Sequence, residues 1–350
     1  MSEAVDLHAI RAAAERIRPE VRRTPLISAA PVLHPLPGAF DLGLKLECLQ
    51  VGGSFKTRGA FNKLGLLGAV ERSRGLITAS GGNHGVAVAY AAARAGVPAV
   101  VYLPAGAAAM KQAAIRRLGA ELVMGGATWD EANAAALAAA ETRGLTYVHP
   151  FGDPAVIAGQ GTIALEILDA LPQADTLVVA IGGGGLIGGI ATAAKALKPG
   201  IRIVGVEPIG APTLHDSVAA GRPVTLDAIT TRAGTLAPRR SMPVNVEIVS
   251  RLVDRIVLVP DEAMRAAARW LWSEMGLAVE LAGAAALAAL ATRVYVPDAG
   301  EAVVAVICGA GIDGLDNEQR ETLVEGRPAR IRRHRDGEAA QRDVPGEARE

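Results

Sequence analysis

Short apolar runs recur along this chain, separated by alanine-rich stretches, and no other feature restricts its possible folds as strongly. The runs at residues 75–78, 99–103, 121–124, 176–181, 202–206, 255–259 and 302–307 have strand length, and several are apolar at every position. A strand apolar on both faces must be covered on both, which is the condition of a parallel sheet between helices. The intervening stretches, such as 83–95, 110–118 and 128–142, have helical composition. Repeated βαβ units of this kind predict an α/β fold with open, twisted, mainly parallel sheets and flanking helices. Only 3% of the residues are aromatic, so Ala, Val, Leu and Ile must supply the apolar volume, as layered packing requires.

The punctuation His149-Pro-Phe-Gly-Asp-Pro154 separates two such series. We read a small domain at 75–150 inserted into a larger one made of 1–74 and 151–325, and a charged tail at 326–350 too poor in apolar residues to fold. A net charge of zero favours neither nucleic acid nor an anionic membrane surface. The first twenty residues read as an amphipathic helix of mixed charge rather than a secretory signal. The most apolar run, 277–292, contains Glu280 and falls short of the ~20 residues a membrane span needs. Two cysteines, Cys48 and Cys308, are too few for a disulfide framework. These features predict a soluble, cytoplasmic protein.

Three segments concentrate the chemistry. Lysine occurs six times, and Lys56 alone sits among small residues, after Gly52-Gly53-Ser54-Phe55 and just before a helix. A lysine that forms a Schiff base needs room for a flat ligand and a lowered pKa, so that it attacks as the neutral amine. An ordinary lysine in a turn fits the local sequence equally. The second segment is Gly182-Gly-Gly-Gly-Leu-Ile-Gly-Gly189, directly after an apolar run. Successive glycines leave N–H groups unobstructed at a helix N-terminus, where the dipole favours a phosphate. Gly183-x-Gly185-x-x-Gly188 also satisfies the dinucleotide fingerprint, with Glu207 placed as a ribose contact, so this segment alone admits a nicotinamide enzyme. The third is Ser80-Gly-Gly-Asn-His-Gly85, a turn able to bind a carboxylate or simply to cap a helix. A dinucleotide site has no use for the Lys56 segment, whereas pyridoxal 5′-phosphate (PLP) needs both a lysine and a phosphate cup. Cys308 follows the last apolar run, at the end of the sheet where such folds bind ligands, although a cysteine there also packs as a small hydrophobe.

Together these segments resemble the fold-type II PLP enzymes, closest to the threonine/serine dehydratase and serine racemase branch, whose fold is that of the tryptophan synthase β chain. The matching stretches are 45–60 (KLECLQVGGSFKTRGA), 79–84 (ASGGNH), 149–166 (HPFGDPAVIAGQGTIALE), 182–189, 205–208 (GVEP) and 308–313 (CGAGID), in order across 20–315. The resemblance implies that Lys56 holds the cofactor as an imine and then acts as the Cα base. It implies that Phe55 packs on the pyridine ring, Asn83 meets its hydroxyl and Cys308 faces its nitrogen. Gly182, Gly183, Gly184, Gly185 and Leu186 would hold the phosphate, and Ser80, Gly81, Gly82, Asn83 and His84 the substrate carboxylate. The implied reaction is α,β-elimination from L-threonine, L-serine or another 3-hydroxy amino acid, giving a 2-oxo acid and ammonia, by a homodimer. Threonine synthase-like or β-replacement chemistry is the nearest alternative, and a nicotinamide-dependent oxidoreductase the alternative from another class.

Departures from the family pattern narrow this. Gly81 stands where the racemases place a serine as second base, which disfavours racemisation. The family's divalent-metal site would keep Glu207 and the Ala211 carbonyl, but Thr213 replaces its third ligand, so no metal is expected. The turn Cys308-Gly-Ala-Gly311 lacks the usual Asn, and Gly152 replaces a common Asp, changes that point to a larger or acidic substrate side chain.

Overall fold

The computed structural model describes residues 5–107 and 109–315; the tail expected from residue 326 lies outside them. Its strands are β1 (Leu26–Ser28), β2 (Asp41–Lys45), β3 (Leu76–Ala79), β4 (Ala99–Leu103), β5 (Glu121–Met124), β6 (Thr146–Tyr147), β7 (Thr176–Ala180), β8 (Arg202–Pro208), β9 (Arg255–Val259) and β10 (Ala302–Val306). All seven expected strands are present, and β4, β5 and β9 have the bounds read from the sequence. Six strands form one sheet in the order β1-β2-β10-β7-β8-β9, and four form a second in the order β5-β4-β3-β6. Every pairing is parallel except that of β1 with β2.

The strand orders locate the site before any side chain is considered. From β7 the larger sheet grows outward to β8 and β9, while β10 pairs on its other side. From β3 the smaller sheet grows to β4 and β5, while β6 pairs on its other side. Where the order reverses, the connections diverge and leave a crevice at the carboxyl ends of the strands, the usual ligand position in open α/β sheets. Gly182 and Cys308 follow β7 and β10 within two residues, and Ser80 and His149 follow β3 and β6 likewise. The motifs of the sequence therefore stand at both reversals.

β3 and β7 are buried at every position, as sequences apolar at all but one threonine each require. The helix Leu281–Ala291 is buried from Leu281 to Leu290 and packs on β7, β8 and β9. Having no side chain larger than leucine, it can lie against a sheet with its whole circumference covered. Among the described residues no helix is long and apolar enough to cross a membrane. At the amino end, Asp6 accepts a hydrogen bond from Ala9 N at 2.7 Å and starts the helix Leu7–Ile17. That helix buries Ile10, Ala13 and Ile17, a stripe at helical spacing, as its amphipathic sequence predicts.

Candidate active site

Lys56 is the first residue of the helix Lys56–Gly65, one position earlier than its sequence suggests. In the turn before it, Gly52 and Gly53 have φ of +77° and +80°, a backbone open to glycine at little cost. This turn delivers Lys56 into a cavity of about 900 Å³. The same cavity is lined by Phe55, by Ser80 through His84, by Gly182 through Leu186 and by Cys308. Every cofactor- and substrate-site residue expected from the sequence thus meets in one place. The two metal candidates, Glu207 and Ala211, do not line it.

The Lys56 amine donates to the Pro150 carbonyl at 2.6 Å and lies 5.0 Å from the centre of the Phe55 ring. Burial pushes its pKa down to about 8, against the opposing pull of the Glu280 carboxylate. Across the cavity, the glycine loop opens the helix Gly185–Leu197, whose first N–H groups have no partner within the helix. The Gly183 carbonyl accepts from Ser241 Oγ at 2.9 Å and from Asn245 Nδ2 at 2.6 Å. Carbonyl and N–H point oppositely in a trans peptide, so the Gly184 amide is turned away from both. Gly184 itself has φ of +98°, and a β-carbon there would lie 2.6 Å from Leu214. A β-carbon on Gly183 would run into the ring of Phe151.

On the smaller sheet's side, Asn83 begins the helix Asn83–Ala95. Its Nδ2 donates to Glu280 Oε1 at 2.8 Å, and its Oδ1 accepts from Lys111 Nζ at 2.6 Å. Thr235 also donates to Glu280 Oε1, at 3.1 Å. Burial pushes the Glu280 carboxyl up to about 7, with Lys111 acting in the other direction. Sequence reasoning noted Glu280 only as a charge interrupting an apolar run, and missed Lys111 and Thr235. A signal was present: a carboxylate at the head of a fully buried helix loses its water and needs polar partners.

Both histidines here are neutral. His84 Nε2 donates to the Val148 carbonyl at 3.0 Å, and Nδ1 is buried without a hydrogen-bond partner among the described residues. Burial, reinforced by the Lys56 charge, pushes its pKa down to about 3. His149 Nδ1 accepts from the N–H groups of Phe151 and Gly152 at 3.1 and 2.7 Å, and burial lowers its pKa to about 4. Cys308 Sγ donates to the Ala282 carbonyl at 3.3 Å, and burial raises its pKa, so it stays a thiol.

Glu207 is engaged elsewhere. Its two oxygens accept from the N–H groups of Leu214 and His215, both at 2.8 Å, and so cap the helix Thr213–Ala219. The Thr213 hydroxyl donates to the Pro238 carbonyl at 2.7 Å.

Comparison with known proteins agrees with this geometry. The sequence profile of the family described as "Pyridoxal-phosphate dependent enzyme" matches residues 17–309. An L-threonine ammonia-lyase of Geobacter sulfurreducens is 43% identical over 304 residues, spanning 87% of this chain and 75% of the relative. A phenylserine dehydratase of Ralstonia pickettii is 37% identical over 311 residues, spanning 88% and 94%. The solved structure of maize serine racemase superposes with a TM-score of 0.84 at 33% identity, covering 92% of this chain and 98% of that one. With a lysine, a glycine cup and a thiol gathered in one cavity between two mainly parallel sheets, the chain belongs to the pyridoxal-phosphate-dependent enzymes, in their fold-type II branch.

Proposed function

We propose that this chain is an ammonia-lyase that converts L-threonine, L-serine or another 3-hydroxy amino acid to a 2-oxo acid and ammonia by α,β-elimination. The observation that carries the reading is Lys56, an amine with a lowered pKa, enclosed in one cavity with the glycine cup and the Ser80–His84 turn. The relatives' names support it: they concern threonine, phenylserine and serine, all of them 3-hydroxy amino acids.

The residues present fit PLP. Gly182, Gly183 and Gly184 form a cradle that side chains would fill, at a helix N-terminus suited to its phosphate. Gly183→Ala is accordingly expected to weaken PLP binding by about 10-fold or more, since the Phe151 ring must move, at the cost usual for overpacking. Titration of the apoprotein, followed by visible absorbance, checks this. When bound, PLP supplies an electron sink that acidifies the Cα–H of an attached amino acid.

The chain's own residues supply the rest. Lys56 gives up its proton more readily than a solvated lysine and can take one at Cα. The first N–H groups of the helix Asn83–Ala95 suit the substrate carboxylate, and the neutral His84 and His149 leave that task to backbone dipoles. Cys308, a thiol, does not place a formal charge beside a ring nitrogen. Gly81 offers no side-chain acid or base, so Lys56 works as the single Cα base, which favours elimination over racemisation.

Purified holoenzyme incubated with a panel of 3-hydroxy amino acids is expected to release ammonia and 2-oxo acid in equal amounts. Formation of D-serine from L-serine without ammonia would favour a racemase, and inactivity on the whole panel would refute the reading. Activity is expected to survive EDTA, because the Glu207 oxygens are committed to helix capping; strong, magnesium-reversible inhibition would contradict this. A cytoplasmic location and a homodimer belong to the same proposal, the former supported by two buried, unpaired thiols.

A further inference from the structure

We infer that the outer wall of the cavity selects 3-hydroxy amino acids that carry an aryl group, with Trp129 as the residue that meets the ring; this rests on the eliminating activity proposed above. Aromatic residues are scarce in this chain: four Phe, three Trp and four Tyr in 350. Phe55, Trp129 and Phe151 nevertheless all line this one cavity. Phe55 adjoins Lys56, whereas the other two stand together away from it in sequence.

Trp129 begins the helix Trp129–Arg143 and is half-buried. Its indole N–H donates to the Ala79 carbonyl at 2.9 Å. Ala79 ends β3 and immediately precedes the Ser80–His84 turn, so the indole is pinned beside the carboxylate position. Its ring centre lies 6.2 Å from that of Phe151, with the planes 32° apart. Phe151 is in turn held edge-to-face by His149, at 4.6 Å and 87°. Both rings are therefore fixed before any substrate arrives.

Pro104, Ala107 and Met110 extend the apolar wall, and Met110 is 65% exposed. A methionine left open at a cavity mouth is an adaptable contact for an aromatic ligand. The methyl group of threonine is too small to cover this surface, whereas an aryl group covers it and gains the tilted ring-on-ring arrangement that aromatic pairs favour. Of the cations on the lining, Arg239 lies 3.9 Å from Asp130 and Lys111 is bound to Asn83. Arg232 is the group an acidic side chain would meet, which makes hydroxyaspartate the competing substrate in the test.

The test compares kcat/KM for L-threo-3-phenylserine, L-threonine and L-threo-3-hydroxyaspartate in the native holoenzyme and in Trp129→Ala and Trp129→Phe. Phenylserine is expected to lead by at least about 10-fold, the discrimination an apolar pocket achieves for added apolar bulk. Trp129→Ala should lower the phenylserine-to-threonine ratio by a similar factor, and Trp129→Phe, which keeps a ring, should retain most of it. Binding gives a second readout: L-phenylalanine should bind the native holoenzyme more tightly than L-2-aminobutyrate, and Trp129→Ala should erase the difference. A native preference for threonine or hydroxyaspartate, or a ratio unmoved in Trp129→Ala, overturns the inference while leaving the eliminating activity intact. Ammonia from none of the three substrates overturns both.

Discussion

Lys56→Ala is expected to lower ammonia release by at least about 10³-fold and to abolish the visible absorbance of lysine-bound cofactor, with the far-UV circular dichroism unchanged. Two losses combine, because one side chain serves both to attach the cofactor and to move the Cα proton, and proton transfer alone contributes up to about 10⁴-fold. Near-normal turnover in the variant would refute the assignment. The lowered pKa adds a pH test with a definite sign. The reacting form is the neutral amine, so the rate at which apoprotein captures PLP should rise with pH and level off above about 8, rather than near the 10.5 of a solvated lysine. Stability follows from the same shift. Below about pH 8 the folded protein must hold a charge that burial disfavours, and this handicap fades as pH rises from about 8 toward 10.5. At neutral pH the alanine apoprotein should therefore be no less stable than the native apoprotein, and a clear fall in its melting temperature would contradict the buried-amine picture.

The motifs were legible because each is contiguous and sits at a strand end. A loop such as 182–185 needs its glycines in consecutive positions, so the physical requirement is written in one stretch of sequence. The fold was legible for the same reason, since β7 and β10 are central strands covered on both faces and read as apolar runs in which Thr176 is the single polar residue. The strands that escaped are short or carry polar residues. β2 carries Asp41, Gly43 and Lys45 in five residues, and its place depends on pairing with β10, about 260 positions away. β6 has two residues and β1 three, too few for any periodicity. Partnerships between isolated side chains were hidden for a different reason. Asn83 and Glu280 stand 197 positions apart, and neither neighbourhood names the other. Ser241 and Asn245, which orient the glycine loop, carry no local mark at all.

Arg58→Met should destabilise the protein by about 3–5 kcal/mol, although Arg58 does not line the cavity. Its guanidinium is buried, and both nitrogens Nε and Nη2 donate to Glu47 at 2.8 Å. It also donates to Glu166 at 2.7 and 2.9 Å and to the Thr162 hydroxyl at 3.1 Å. Lys45 completes the cluster by donating to Glu166, which leaves two cations balanced against two carboxylates. Methionine fills much of the volume but leaves both carboxylates to a single ammonium, and Glu47 has no exposed surface through which water could compensate. At about 2–4 °C per kcal/mol, the melting temperature should fall by about 10 °C. Replacing Glu47 by leucine in the same protein restores the charge balance, so the double variant should be more stable than Arg58→Met alone, a non-additivity that lost packing would not produce. The acid limb should move as well. Burial pushes the Glu166 carboxyl up, but the hydrogen bonds and charges of Arg58 and Lys45 outweigh it and hold the group below its ordinary value. Its contribution is thus present above pH 4.5 and lost as pH falls through the folded value; without Arg58 that value rises and acid unfolding begins at higher pH. Because Arg58 lies two residues beyond Lys56 on the same helix, the cluster also fixes the point from which the lysine reaches the cavity. The variant should accordingly lose kcat even at temperatures where it remains folded. A melting shift below about 2 °C, with kcat unchanged, would show that the cluster neither stabilises the fold nor positions Lys56.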